Sequence, residues 1–148
     1  MTGRVAGLCT INPASGCVGP AGALVIGFSA GIICYYATQA IKQRFPIDDS
    51  LDVFPVHGVG GILGTLLAGV FASDALGVFS GQGYNEGMDM ISQVSVQVIG
   101  IIATFTYTAV VTYVLLKLVD KLLVLRVDEE GEMRGIDLVE HDERGYDL

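Results

Sequence analysis

The chain has 148 residues, 51% of them hydrophobic and only 16% charged, with a mean hydropathy of +0.58. A soluble domain carries about 25% charged residues, so this composition excludes an ordinary water-soluble domain. The formal net charge of -8 argues against a nucleic-acid partner, which calls for a basic surface.

The charge is unevenly placed. Residues 126–148 hold nine acids and three Lys or Arg, whereas residues 1–125 hold only seven acids and five Lys or Arg. The expected organisation is a membrane region over 1–125 followed by an acidic, water-soluble tail over 126–148. The 20 glycines are roughly twice the usual share of about 7%, and within apolar runs they point to close helix packing in lipid. Cys9, Cys17 and Cys34 are odd in number and form no C-x-x-C pair. They are expected as free thiols used in packing.

Residues 1–19 come first. Val5 to Ile11 is apolar but too short to span, and N-P-A-S-G-C-V-G-P after it is rich in helix breakers. This stretch reads as the last turns of a helix, with no basic start and long apolar stretch of the signal-peptide kind. Three long apolar segments follow, over about 22–41, 52–72 and 90–118, the last continuing amphipathically to 125. A span takes about 20 residues at about 1.5 Å each. The third segment, at about 50 Å, must tilt or project into water.

Lys and Arg set the expected orientation. The connection after the first span carries Lys42 and Arg44, and Lys117, Lys121 and Arg126 close the third. The connection over 73–89 has no base, only Asp74, Glu86 and Asp89. The basic connection and the C-terminal tail are therefore expected in the cytoplasm, with the glycine-rich loop at 77–87 outside.

His57 is the chief candidate for function. It lies in D-V-F-P-V-H-G-V-G-G-I-L-G, about five residues, or roughly 8 Å, into the second span. An ionisable side chain within a span is costly and usually marks a pathway; the alternative is a packing histidine bonded to a neighbouring helix. Desolvation disfavours the charged ring, and a neutral imidazole offers one N–H donor and one acceptor. It can bond a small neutral guest such as ammonia, or pass on a proton.

Gly60-x-x-x-Gly64 beside it, and Gly27-x-x-x-Gly31 in the first span, are small-residue pairs expected at helix seams. Pro55 is expected to kink or loosen the start of the second span. Asp52 is expected to cap that helix start. The polar residues of the third span, from Ser92 to Thr112, suggest contact with other helices on one face. The tail reads as a disordered or docking segment. No phosphate-binding loop, metal-ligand cluster or nucleophile–base pair is present in the sequence, so neither cofactor nor enzymatic reaction is expected.

These motifs resemble one family. D-V-F-P-V-H-G-V-G-G-I-L-G-T-L-L-A-G-V-F-A is similar to the tenth of the eleven helices of ammonium channels of the Amt/Mep/Rh family. A-G-L-C-T-I-N-P-A-S-G-C-V-G-P-A-G-A-L resembles the segment joining the eighth and ninth helices, and G-I-D-L-V-E-H-D-E-R-G-Y resembles the cytoplasmic tail motif. The resemblance implies an all-α, polytopic transmembrane bundle, here the C-terminal part of an eleven-helix inverted-repeat channel with a cytoplasmic tail.

It further implies that His57 is the second of two pore histidines and that Val53 is an apolar pore-lining position, with Asp52 at the helix start. Gly135, Asp137, His141 and Tyr146 match the tail motif, through which some relatives dock a PII-type signal protein. Val139 stands where plant relatives carry a phosphorylatable threonine. The implied whole is a homotrimer in the inner or plasma membrane that carries ammonium or ammonia. The first half of the family fold lies upstream of these motifs. The chain is therefore read as a truncated, split or decayed copy that does not conduct by itself. Two readings compete: a non-transporting regulatory or sensor module acting through the tail, and an unrelated packing subunit of a membrane complex.

Overall fold

The structure, a computed structural model, describes residues 2–45, 49–123 and 125–143. Among them every regular element is helical. In order these are α1 (Thr2–Ile11), a 3-10 turn (Asn12–Ala14), α2 (Pro20–Arg44), a π-helical turn (Phe54–Val59), α3 (Gly60–Phe71), a 3-10 turn (Gly77–Phe79), α4 (Met90–Leu122), α5 (Glu129–Arg134) and α6 (Ile136–His141). Three helical stretches are long and apolar enough to cross a membrane: Pro20–Arg44, Phe54–Phe71 and Met90–Leu122. They fall on the three apolar segments read from the sequence. The chain divides into two compact units, Met1–Thr104 and Phe105–Leu148.

In the first unit the core is a seam of small side chains. Ala6 and Thr10 on α1 and Ala14 in the 3-10 turn that follows recur every four residues and are completely buried. On α2 the buried set is Ile26, Ala30 and Cys34, and on α3 it is Gly60, Gly64 and Ala68. A spacing of four places each set on one stripe of its helix. Ala6, Cys34 and Val56 form one buried cluster, and Ala14, Ile26 and Ala68 form another. Helix α1 therefore lies in the groove between α2 and α3, parallel to α3.

The glycines set how close the helices come. A Cβ at Gly60 would stand 2.8 Å from Thr10 Oγ1 and 3.4 Å from Cys34 Sγ, and one at Gly64 would run into the Thr10 backbone carbonyl. The other small-residue pair differs. A Cβ at Gly27 or Gly31 would meet nothing within 4 Å, so that pair is not a seam within this chain. Its neighbours on α2, Leu24 and Phe28, are 76% and 75% exposed, so this face of α2 is left open.

The loop after α3 is pinned down by backbone bonds. Gly81 N–H donates to Ser73 O at 2.8 Å, Gly83 N–H to Ala72 O at 2.7 Å and Gln82 N–H to Cys17 O at 3.0 Å. The Tyr84 hydroxyl donates to Gly69 O at 2.5 Å. A Cβ at Gly81 would strike the carbonyls of both Cys17 and Phe71, so glycine lets the loop settle there. Asp89 then caps α4: its carboxylate accepts from Ser92 N–H at 2.8 Å, and the Ser92 hydroxyl first, then this N–H, hold its pKa below the usual carboxylate range.

Helix α4 has no buried residue. Among the described hydrogen bonds its polar side chains reach no other helix, Ser95 Oγ donating to Ile91 O at 2.7 Å; the contact expected of them is made without a hydrogen bond by Gln97. Near its start, Val94 and Gln97 lie against Gly69.

Of the two readings of the tail, disordered or docking, the second unit corrects the first, since it contains α5 and α6. Asp128 caps α5 by accepting from Gly131 N–H at 2.8 Å, a cap that the composition of the segment hides. Arg126 grips Glu132 in a two-pronged pair, Nε to Oε1 at 2.8 Å and Nη2 to Oε2 at 3.1 Å. Gly135, at φ 94, then turns the chain from α5 into α6. That left-handed conformation suits glycine.

The Arg126 guanidinium, bonded to Glu132, lowers that carboxyl's pKa. A lowered folded-state pKa stabilises above the unfolded value and is lost as pH falls through the folded one. The α5 helical signal, followed by NMR, is therefore expected to hold at neutral pH and to weaken only in acid below the ordinary glutamate range. An Arg126→Gln variant is expected to lose that acid-dependent step.

Candidate functional site

The site begins at the junction between α2 and the second span. Lys42, in the last turn of α2, pairs with Asp52 at 2.7 Å. Asp52 has a positive φ of 57, unusual for a residue with a side chain. That turn sends its carboxylate to Lys42, so the expected cap comes from elsewhere. Asp49 supplies it, its Oδ1 accepting from Val53 N–H at 2.8 Å and its Oδ2 from Phe54 N–H at 2.9 Å. Two free N–H groups at a helix start are thereby satisfied, which is worth about 1 kcal/mol. Asp49 is the site residue that sequence reasoning missed. Both carboxylates precede the helix, and nothing in the sequence chooses between them.

The span then enters the π-helical turn at Phe54–Val59. Pro55 has no N–H to give and its ring crowds the preceding turn, which accounts for a wider turn at this point. Pro55 and Val56 are buried, while Val53 and Phe54 are 50% and 49% exposed. His57 is exposed as well. The turn thus anchors one side through Pro55 and Val56 and presents Val53 and His57 on the outside of the three-helix packing. His57 Nδ1 lies 3.4 Å from Cys9 Sγ on α1.

The expected residues therefore fall in three places. Val53, His57, Gly60 and Gly64 belong to the second span, with the glycines on its buried side. Gly27 and Gly31 lie on α2. Gly135 lies between the two tail helices, Asp137 in the first turn of α6 and His141 at its last position. Tyr146 lies outside the described residues. Among the described residues no three His, Cys, Asp or Glu side chains gather into a metal site. The arrangement offers an exposed hydrogen-bonding ring on an otherwise apolar span.

Comparisons with known proteins agree on a family. Residues 1–146 match the profile of the Ammonium Transporter Family. The chain is 43% identical over 150 residues to a putative ammonium transporter of Methanothermobacter thermautotrophicus, covering 100% of this chain and 36% of that protein. It is 36% identical over 146 residues to an ammonium transporter of Bacillus subtilis, covering 99% of this chain and 36% of the relative. Against the ammonium transporter Amt1 of Archaeoglobus fulgidus the identity is 38% over 147 residues, again 99% and 36%. The chain spans about a third of the length of these relatives. With its three apolar spans and this match along nearly its whole length, the chain is a multi-pass membrane protein that belongs to the ammonium transporter family.

Proposed function

We propose that this chain forms one wall of a transmembrane path for ammonium or ammonia, with His57 and Val53 on its surface. The observation that carries this reading is His57 itself: an imidazole within an apolar span, turned outward from its own bundle. Such a group is costly in lipid and is kept where it faces a path. Val53 lies four residues earlier and is half exposed, giving the same surface an apolar approach. Three spans leave this surface open, so the chain does not conduct by itself; a closed path takes further walls. The relatives named as ammonium transporters support the choice of substrate. The role is transport, not a chemical reaction.

The Lys42 end of α2 and the acidic tail would face the cytoplasm, since Lys and Arg collect there. Trimer formation belongs to the same reading. So does docking of a PII-type protein at Gly135, Asp137, His141 and Tyr146. A regulatory role for the tail draws on one observation, the fold of α5 and α6 around the Arg126–Glu132 pair.

The test is ammonium uptake by the complete transporter in proteoliposomes, with and without His57→Ala. Loss of one hydrogen-bonding group in a dry path is worth about 1–3 kcal/mol, so uptake is expected to fall roughly 5- to 150-fold. Uptake equal to the parent would remove His57 from the path.

A further inference from the structure

We propose that Cys9 and His57 form a two-ligand site for a soft monovalent metal ion, a cuprous ion, with silver as its stable analogue. Cys9 Sγ on α1 and His57 Nδ1 on the π-helical turn are 3.4 Å apart. Thiolate and imidazole are donors that copper takes. Both stand on fixed backbone. Cys9 is half-buried and packs against the buried cluster of Ala6, Cys34 and Val56, and Thr10 after it is completely buried. His57 follows Pro55 and Val56, both buried, while its own side chain is exposed and can be reached.

The number of ligands selects the ion. A zinc ion takes four protein ligands in a structural site and three in a catalytic one. Among the described residues no third His, Cys, Asp or Glu joins the pair. A cuprous or silver ion is satisfied by two. Bonds of about 2.3 Å to sulfur and about 2.0 Å to nitrogen put opposed donors about 4.3 Å apart. The ring therefore swings outward by roughly 1 Å to admit the ion, a movement open to an exposed side chain.

Charge points the same way. Binding sends the thiol proton to solvent and leaves a thiolate, a neutral imidazole and the ion. With a monovalent ion these sum to zero; with a divalent ion they leave one positive charge. His57 lies within the Phe54–Phe71 span, where net charge is costly. The site therefore favours a cuprous or silver ion over zinc. On the reading of His57 as a path residue, the bound ion sits on the path and stops uptake; binding itself does not depend on that reading.

The test is silver binding to the full 148-residue chain in lipid nanodiscs, in chloride-free nitrate buffer. Cys17→Ser is the background, since it removes the exposed thiol. The chain contains two histidines, His57 and His141, so its 15N-histidine spectrum is simple. One silver ion per chain is expected, with a shift of the His57 Nδ1 signal and none at His141. Cys9→Ser, which keeps the size but not the soft donor, is expected to abolish that shift. Loss of a group that merely supports a metal ligand costs about 10–100-fold in affinity, so His57→Ala is expected to weaken silver binding at least tenfold. Zinc at the same concentration should leave the His57 signal in place. Unchanged helical content is the check on folding of each variant. No shift in the parent, a shift that persists in Cys9→Ser, undiminished binding in His57→Ala, or zinc bound as tightly as silver would each overturn the proposal. Transport takes no part in this measurement, so a failed uptake test for His57 and a failed silver test remain separate results.

Discussion

Gly64→Val is expected to open the three-helix seam. The Cβ of any larger residue at 64 would fall inside the Thr10 carbonyl and 2.8 Å from its carbonyl carbon. The obstruction is backbone, so no rotamer change relieves it; α1 and α3 must move apart. Overpacking of a well-filled core costs about 1–3 kcal/mol and occasionally more, and a clash with main chain belongs at the upper end. The measurement is maleimide labelling of Cys34, 1% exposed in the closed seam, as the sole thiol after Cys9→Ser and Cys17→Ser. A rise of about tenfold or more in labelling is expected, matching 1.4 kcal/mol. Gly27→Ala and Gly31→Ala, which meet nothing within 4 Å, are the controls. Exchange of an unobstructed helical glycine for alanine gains about 0.5–1 kcal/mol, so neither should raise the labelling. A Gly64→Val chain as protected as these controls would refute the seam.

His57→Arg is expected to abolish ammonium uptake by the complete transporter, more thoroughly than alanine does. Arginine is always charged. It repels an ammonium ion about 4 Å away by about 4 kcal/mol at an effective dielectric of about 20, close to a thousandfold, and its longer side chain obstructs a neutral guest on the same surface. The substitution spares the bundle, because His57 is exposed in its packing. The thermal midpoint of the three-span chain should correspond to a change within about ±0.5 kcal/mol. Uptake that survives Arg at 57, in a stably folded protein, would place the path elsewhere. Loss of uptake together with loss of folding is told apart by the melting measurement.

The spans and His57 were legible because each is a matter of cost in lipid. A run of about 20 apolar residues has few other uses, and a histidine inside one stands out. Pro55 announced a disturbed helix start, and the π-helical turn lies there. What remained hidden depended on three-dimensional neighbours. Gly27-x-x-x-Gly31 and Gly60-x-x-x-Gly64 are the same pattern, yet only the second meets α1, since the pattern is silent about what lies opposite. Asp49 and Asp52 are equally fit to cap in sequence; the positive φ at Asp52 decides between them, and no rule for a non-glycine residue foretells it. The contact of Cys9 with His57 joins residues 48 apart and emerges only when α1 docks. The tail helices rest on a cap at Asp128 and two Arg–Glu pairs, Arg126 with Glu132 and Arg134 with Glu130, too small a signal beside a strongly acidic composition.

The π-helical turn also fixes an angular phase. A turn of this kind is an α-helix with one residue too many, and each residue of an α-helix advances it by about 100°. Phe54–Val59 therefore sets the rotation of the chain before it, with Val53, against the chain after it, with Gly60 and Gly64. Side chains at 53 could be exchanged for others of similar shape without altering that rotation. Removing a single residue between Val53 and Gly60 could not be absorbed in this way: the regular helical count would return, and Val53 would swing about 100° around the axis relative to the buried glycines. The number of residues over this turn is thus held more strictly than the choice of side chain at 53.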